Sequence, residues 1–509
     1  MTQNVDLPKG WVHAPLDMLC QILDSRRVPV NKSERSRRIA GRPEASLYPY
    51  YGATGQVGLI DDFIFEGEHI LLGEDGAPFL DPFKDKSYLV DGRFWVNNHA
   101  HILRSKVSDK YIYYYLNQFD YSDLLTGTTR LKLTKSKLKK ISVPVAPITE
   151  QLRIVSKIEE LFSELDKGVE SLESVREQLK VYRQAVLKHA FEGKLTAQWR
   201  EENKDKLETP EQLLARIKQE REAAYQQQLE EWKVSVKKWE QNGKAGKKLA
   251  KPRKIKKLQP FDSEELEKLP DIESASWKWV KVDEICFHTQ YSIKAGPFGS
   301  ALKKQFYVPD GYKLYGQEQV ISGDPYYGDY FVDAVKYKEL EACKIAPKDV
   351  LISLVGTVGK VLILPDNCRE GIINPRLVKI TLNLNYYRPE FFKYFFESAF
   401  VRSLYKTLAK GTTMDVLNLG IIQNLPFPLC SLAEQDKLVA EIESRLSVVD
   451  QVEKETEAEL AKTKALRLSV LKKAFSGNLV AQNPHDEPAS TLLARIRIAK
   501  SAENLSLQA

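Results

Sequence analysis

The sequence has few of the features that mark exported, membrane-bound or metal-clustered chains. No stretch approaches the roughly eighteen consecutive apolar residues of a membrane span. The opening MTQNVDLPKGW lacks the apolar core of a secretion signal, so a cytoplasmic location without a membrane partner is expected. Five cysteines, Cys20, Cys286, Cys343, Cys368 and Cys430, are odd in number, scattered and never spaced CxxC. That excludes a disulfide framework and a zinc knuckle, and leaves buried thiols. Catalytic signatures are also missing. GTVGK at 356–360 lacks the first glycine of a phosphate loop, and Val361 stands where Ser or Thr should hold magnesium, so a turn between strands is expected there. YGATGQVG at 51–58 does not fit GxGxxG, which excludes a dinucleotide or adenosylmethionine cradle of that type. There is no GxSxG elbow, no HExxH helix and no NPP[YF]-type methylation motif; Asn374-Pro375-Arg376 and Asn483-Pro484-His485 do not satisfy it. His99 and His101 flank Ala100 and would share one side of a strand. With no third ligand nearby in sequence, packing, hydrogen bonding or base-edge contact is expected of them, and no metal.

What is present is a large, mixed globular composition. At roughly 150 residues per domain, 509 residues make three to four folding units, and 43% hydrophobic with 28% charged residues excludes a disordered or collagenous chain. The 76 Lys and Arg exceed the 69 Asp and Glu, a net charge of +7 that permits a polyanionic partner without demanding one. The basic residues are unevenly placed. KAGKKLAKPRKIKK at 244–257 has eight cationic residues of fourteen and no acidic one, and a smaller cluster lies at 35–42. Each fits a solvated linker or a phosphate contact.

A repeat organises the chain. Sliding it by 284 positions lays residues 144–198 over 428–482 without a gap, with about 20 of roughly 55 positions identical. VLKHAFEGKLTAQ at 186–198 meets VLKKAFSGNLVAQ at 470–482, and Glu150-Gln151 meets Glu434-Gln435. The same offset superposes GTT at 127–129 on GTT at 411–413. LLARIK at 213–218 echoes LLARIR at 492–497. Trp11, Leu16, Asp17 and Cys20 correspond to Trp277, Val282, Asp283 and Cys286. The chain is therefore a duplicated unit.

The matched segments read as long helices. Apolar residues at Leu152, Val155, Ile158, Phe162, Leu165 and on to Leu179 and Val186 step by three and four, and Leu438, Ile442, Leu446 and Val449 do the same in the second copy. Leu187, Phe191, Leu471 and Phe475 fall near the ends of these helices, and Gly193 and Gly477 stand where each should stop. Some forty residues make a rod of about 60 Å. So narrow a stripe on so long a helix needs a helical partner, and the other copy, antiparallel about a pseudo-two-fold axis, is the expected one. The stretches between are rich in β-branched and aromatic residues broken by Gly, Pro, Asp and Asn. They read as two mixed α and β globules whose internal sequences hardly align. The fold class is α+β: two mixed globules separated by two long helices paired as an antiparallel coiled coil. Its segments are 1–147, 148–262, 263–430 and 431–509. Residues 201–260, with Trp232, Trp239 and the basic run, form a charged extension read as a helical arm, a solvated tether being the alternative.

The EQ pair, the helix ending in AFEGKLTAQWR with its partner AFSGNLVAQ, YGATG at 51–55, WVNNHAHIL at 95–103 and GTT before each rod together resemble the specificity subunit of type I restriction-modification systems. The resemblance covers essentially the whole chain, and GKLTAQWR after such a helix is its most specific part. It implies a non-catalytic DNA-recognition subunit. Each globule would read one half of a split, asymmetric duplex site, with the rods as a ruler for the unread spacer. Candidate contacts in the first globule are Arg26, Arg27, Arg35, Arg37, Arg38, Thr54, Asn97, Asn98, His99 and Arg130. In the second they are Lys303, Lys304, Gln317, Glu318, Arg376, Lys410 and Thr412. Because Ile373-Asn374-Pro375-Arg376 stands where the first globule has its NNHAH run, no role of His99 or His101 transfers to the second globule by sequence. Partner binding and the helical core are expected of Leu152, Ile158, Phe162, Leu165, Leu187, Phe191, Ile442, Leu446, Leu471 and Phe475. The resemblance further implies two modification subunits carrying adenosylmethionine and two restriction subunits carrying ATP and Mg, with no cofactor on this chain. Two other classes compete: a coiled-coil scaffold with protein-binding globules, and a DNA-modifying enzyme of unfamiliar type.

Overall fold

Helix boundaries in the computed structural model, which describes residues 7–244, 251–252, 261–267, 269, 276–289, 291–355, 358–408 and 417–506, follow the punctuation of the chain. The two long helices are Ile148–Phe191 and Leu432–Phe475, 44 residues each, or about 66 Å at 1.5 Å per residue. Both stop as expected. Gly193 and Gly477 take left-handed backbone at φ +77° and +73°. The next amides, of Lys194 and Asn478, return to the carbonyls of His189 and Lys473 at 3.0 and 2.8 Å, which satisfies acceptors that the end of a helix would leave open.

The chain divides into two units, 1–176 with 454–509 and 177–453, so each unit holds part of both long helices. In the first, Ile154, Val155 and Ile158 share a core with Leu471, Ala474 and Phe475. Further along, Arg467 bonds Asp166 and lies 4.7 Å from the Phe162 ring centre. Numbers rise on one helix as they fall on the other, so the pair is antiparallel. The second unit repeats the arrangement. There Val186, Leu187, Ala190 and Phe191 pack with Leu438, Ile442 and Leu446, and Arg183 reaches Asp450 at 2.5 Å and Glu453 at 3.1 Å. Phe162 and Leu165 are half-buried. Leu152 is not in this core: the buried face runs through Gln151, Ile154, Val155 and Ile158, which leaves Leu152 58% exposed.

The globules share a topology although their sequences diverged. In the first unit one sheet orders the strands Cys20–Ile22, Ala100–Ser105, His69–Gly73 and Ser87–Val90; the second unit matches it with Ile293–Ala295, Leu377–Ile380, Val350–Ser353 and Val361–Ile363. Residues 356 and 357 of GTVGK lie outside the described residues, in the connection between the last two antiparallel strands named. A second four-stranded sheet in the first unit pairs Tyr48–Gly52 in parallel with Arg93–Val96, and its counterpart pairs Tyr312–Tyr315 in parallel with Gly371–Ile373. Each globule closes with an antiparallel pair, Val12–Pro15 on Ser142–Val145 and Lys278–Lys281 on Pro426–Leu429.

The repeated EQ pair explains how a globule meets its helix. Gln151 donates from Nε2 to the Ala146 carbonyl at 2.8 Å and accepts the Ser108 amide at 3.4 Å. Gln435 does the same with the Cys430 carbonyl and the Arg388 amide, both at 2.9 Å. Each glutamine is fully buried, so its amide must find partners on both sides. The LLARI segments both enter a core, with the equivalent isoleucines Ile217 and Ile496 buried in each but the buried leucine being the first in one copy, Leu213 on helix Pro210–Gln241 in the second unit, and the second in the other, Leu493 on Ala489–Ser506 in the first unit. Helix Pro210–Gln241 forms most of the described part of the charged extension, while 245–250 and 253–260 lie outside the described residues. Among the described residues no helix is long and apolar enough to cross a membrane.

Candidate nucleic-acid interface

Three strand ends meet at one corner of each globule, and the same backbone hydrogen bonds tie them. In the first globule the Asn97 amide donates to Tyr51 O at 3.0 Å, Glu74 N to His99 O at 2.7 Å, and Leu133 N to Glu74 O at 2.8 Å. In the second, Asn374 N donates to Tyr315 O at 2.8 Å, Leu354 N to Arg376 O at 3.0 Å, and Leu417 N to Leu354 O at 3.2 Å. The side chains of the two asparagines also act alike, Asn97 Oδ1 accepting from His99 N at 2.8 Å and Asn374 Oδ1 from Arg376 N at 2.9 Å. These bonds supply the alignment that the sequences do not: Asn374 answers Asn97, and Arg376 answers His99. His101, opposite Leu72, is answered by Val378, opposite Ile352.

Each frame leaves little room beside a glycine. A Cβ on Gly52 would come within 3.2 Å of Asn97 Nδ2, and one on Gly316 within 2.8 Å of Asn374 Nδ2. The asparagine side chain thus occupies the space a larger residue would need. Tyr-Gly at the end of one strand and Asn after its parallel neighbour is therefore a signature common to both copies. It is hidden in the sequence because the connection after Tyr-Gly is two residues long in the first globule and carries helix Gln317–Ser322 and a further loop in the second.

The side chains on this common frame differ. In the first globule Asp75 Oδ1 lies 2.7 Å from both His99 Nδ1 and Arg130 Nη2. Behind them is a buried ionic network. His101 Nδ1 meets Asp24 Oδ2 at 2.7 Å and its Nε2 meets the Leu133 carbonyl at 2.8 Å. Arg27 reaches Glu74 at 2.6 Å and the Ala100 carbonyl at 2.9 Å, and Lys132 reaches Glu74 at 2.9 Å. Burial works against ionisation of Asp24, but the bond from His101, the Ile102 amide and the Arg27 guanidinium outweigh it and hold the carboxyl below the ordinary aspartate range. Burial likewise opposes the charge on Glu74, and Arg27, Lys132 and His101 together hold it below the usual glutamate value. Asp24, Glu74 and His101 bring ligand-type atoms within 4.8 Å of one another. The sequence did not bring these three together, because they lie on separate elements. Arg27 and Lys132 both pair with Glu74, and Arg27 lies 3.8 Å from Asp24, so these carboxylates belong to an ion-pair network.

In the second globule Gln317 is the organising residue. Its Nε2 donates to Ser353 Oγ at 3.0 Å and to the Val355 carbonyl, and Oε1 accepts from Arg376 Nη1 at 3.2 Å. A carbonyl can only accept, so the amide orientation is fixed with Oε1 turned toward Arg376.

The remaining candidates are spread more widely. Asn98 belongs to the first corner, its carbonyl 3.3 Å from Arg27, and Thr54 is exposed in the turn beside it. Arg27 is directed inward, with 16% of its side chain exposed. Arg26 lies over Phe65, Arg35 over Tyr50 and Arg38 over Trp95, the last also paired with Asp61 at 2.6 Å. Arg37 is exposed and paired with Glu34. Lys303, Lys304 and Glu318 are exposed. Lys410 and Thr412 lie outside the described residues. Sequence reading missed Asp75, Glu74, Asp24, Lys132 and Asn374. For the last of these, the Tyr-Gly and Asn pairing was the available signal.

A family model described as the type I restriction modification DNA specificity domain matches residues 8–174 and 276–462, more than half of the chain. The specificity subunit of the type I restriction enzyme EcoDI from Escherichia coli is 21% identical over 97% of this chain and 96% of its own length. A putative type I restriction enzyme specificity subunit from Haemophilus influenzae is 34% identical over 29% of this chain and 36% of its own length. A solved structure described in terms of complex assembly and conformational transition of the type I R-M system superposes with a TM-score of 0.59 at 16% identity, over 93% of this chain and 100% of that one.

Proposed function

The chain belongs to the type I restriction-modification DNA specificity family, and from that premise we propose that each of its globules reads one half of a split, asymmetric duplex site while the antiparallel helices set the unread spacer. One observation carries this reading. The two globules keep the same strand-end corner, down to individual hydrogen bonds, and differ in the side chains mounted on it. A constant frame bearing variable polar groups is what two readers of unlike base sequences require. Affinity would come largely from Lys and Arg on phosphates, with the strong salt dependence that such contacts bring.

The chain performs no chemistry of its own in this account. Two modification subunits would hold adenosylmethionine and methylate a flipped adenine, and two restriction subunits would supply ATP-driven translocation and Mg-dependent cleavage, all in the cytoplasm. A duplicated pair of helices offers two equivalent docking sites for the modification subunits. Mapping methylated adenines in DNA treated with the complex of this chain and its modification subunits tests the proposal. A motif with two fixed halves around a spacer of constant length and free sequence is expected. Methylation at a single continuous motif, or at no defined motif, contradicts it.

A further inference from the structure

Each corner holds one exposed arginine against an acceptor whose own position is fixed. Arg130, with 61% of its side chain exposed, is held by Asp75, whose side chain is 15% exposed. Arg376 is exposed and held by Gln317, which is 8% exposed. The acceptors come from different strand ends, Asp75 following His69–Gly73 and Gln317 following Tyr312–Tyr315. Both nevertheless support a guanidinium beside the backbone stretch that begins at Asn97 or Asn374. In each case the acceptor engages a single terminal nitrogen, Arg130 Nη2 or Arg376 Nη1. A guanidinium has five N–H groups in a planar fork, so the opposite edge keeps a pair for a two-point contact. The major-groove partner that matches such a pair is the O6 and N7 edge of guanine.

We infer that Asp75 and Gln317 are positioning residues that aim Arg130 and Arg376, one in each globule, at a guanine in the corresponding half-site. This rests on the proposed two-part DNA reading and adds to it which residues set one base pair in each half. A fixed acceptor removes most of the rotamer freedom that an exposed arginine would lose on binding, so the contact costs less entropy. His99 shares the Asp75 oxygen and lies 3.4 Å from Arg130, which confines the guanidinium from a second side.

The test uses the full complex with its modification subunits and reads the methylated motif base by base. Arg130→Met and Arg376→Met replace exposed side chains, so folding is little affected. Each is expected to relax preference at a single G·C pair, in one half only, by about tenfold or more. Asp75→Ala must then relax the same pair as Arg130→Met, and Gln317→Met the same pair as Arg376→Met. Asp75→Asn keeps an acceptor oxygen and should keep the preference. A merely structural role would weaken a whole half-site and would not single out the arginine's base pair. An unchanged motif in the arginine variants, relaxation at a different pair, or uniform loss of a half-site in the acceptor variants overturns the inference. Absence of a two-part motif with the unaltered chain overturns the proposed function instead.

Discussion

Phe475→Ala is expected to destabilise the first unit by about 3–5 kcal/mol, and Phe191→Ala to do the same to the second. Each phenylalanine ends a long helix and is almost fully buried. Phe475 sets its ring 5.0 Å from Tyr111 and 5.1 Å from Tyr115, centre to centre, and Phe191 lies 5.4 Å from Phe391 and 5.1 Å from Phe395. In both cases the two partner rings are four residues apart on a helix, so they form one face. Truncation would leave a cavity lined by two aromatic rings that cannot both move in to fill it. Hydrogen exchange should show lost protection at Asp109–Gln118 for Phe475→Ala and at Pro389–Phe396 for Phe191→Ala. Loss of protection in the opposite unit would contradict the assignment of each helix end.

Asp24→Ala is expected to cost about 3–5 kcal/mol, because it removes the carboxylate that bonds the buried His101 ring and the Ile102 amide, with Glu74 left as the more distant counter-charge. His101 is fully buried and Asp24 is 7% exposed, so the carboxylate is lost from a setting with little contact with bulk water. The pH dependence follows from the same network. Asp24 and Glu74 are both held below their ordinary values in the folded chain. Their stabilisation is present above the unfolded carboxylate range and is lost as the pH falls through the lowered folded values, below about pH 4. Chemical denaturation of the full chain at neutral and acid pH, followed through the first globule, should show a smaller acid loss for Asp24→Ala than for the unaltered chain. The second globule, which has Val378 in the place of His101, should be unaffected by this substitution.

What the sequence disclosed was periodic or local. The long helices announced themselves through three- and four-residue spacing, and their ends through Gly193 and Gly477, where a left-handed residue is needed. The duplication was visible in the helices because both copies bury equivalent faces. It was obscured in the globules, where side chains that face solvent or ligand are free to differ. The corner escaped because it is defined by backbone hydrogen bonds between residues 51, 74, 97, 99 and 133, which no spacing rule connects. Asp75 and Asp24 are two of many acidic residues in sequence, and only folding sets one beside Arg130 and the other beside His101. Leu152 shows the converse. It fits a three- and four-residue stripe, yet the packed face lies one residue away, at Gln151, because a buried polar residue can belong to a core when its hydrogen bonds are satisfied.

In the proposed reading, helix length sets the spacing of the heads independently of what each head reads. This is tested most directly by removing seven residues from the middle of both long helices and mapping the motif methylated by the assembled complex. Seven residues span about 10 Å of helix, or at most about three base pairs at 3.4 Å each. A spacer shortened within that limit is expected, with both half-site sequences unchanged. A complex that still methylates with the original spacer, or that changes the bases of either half, would contradict it.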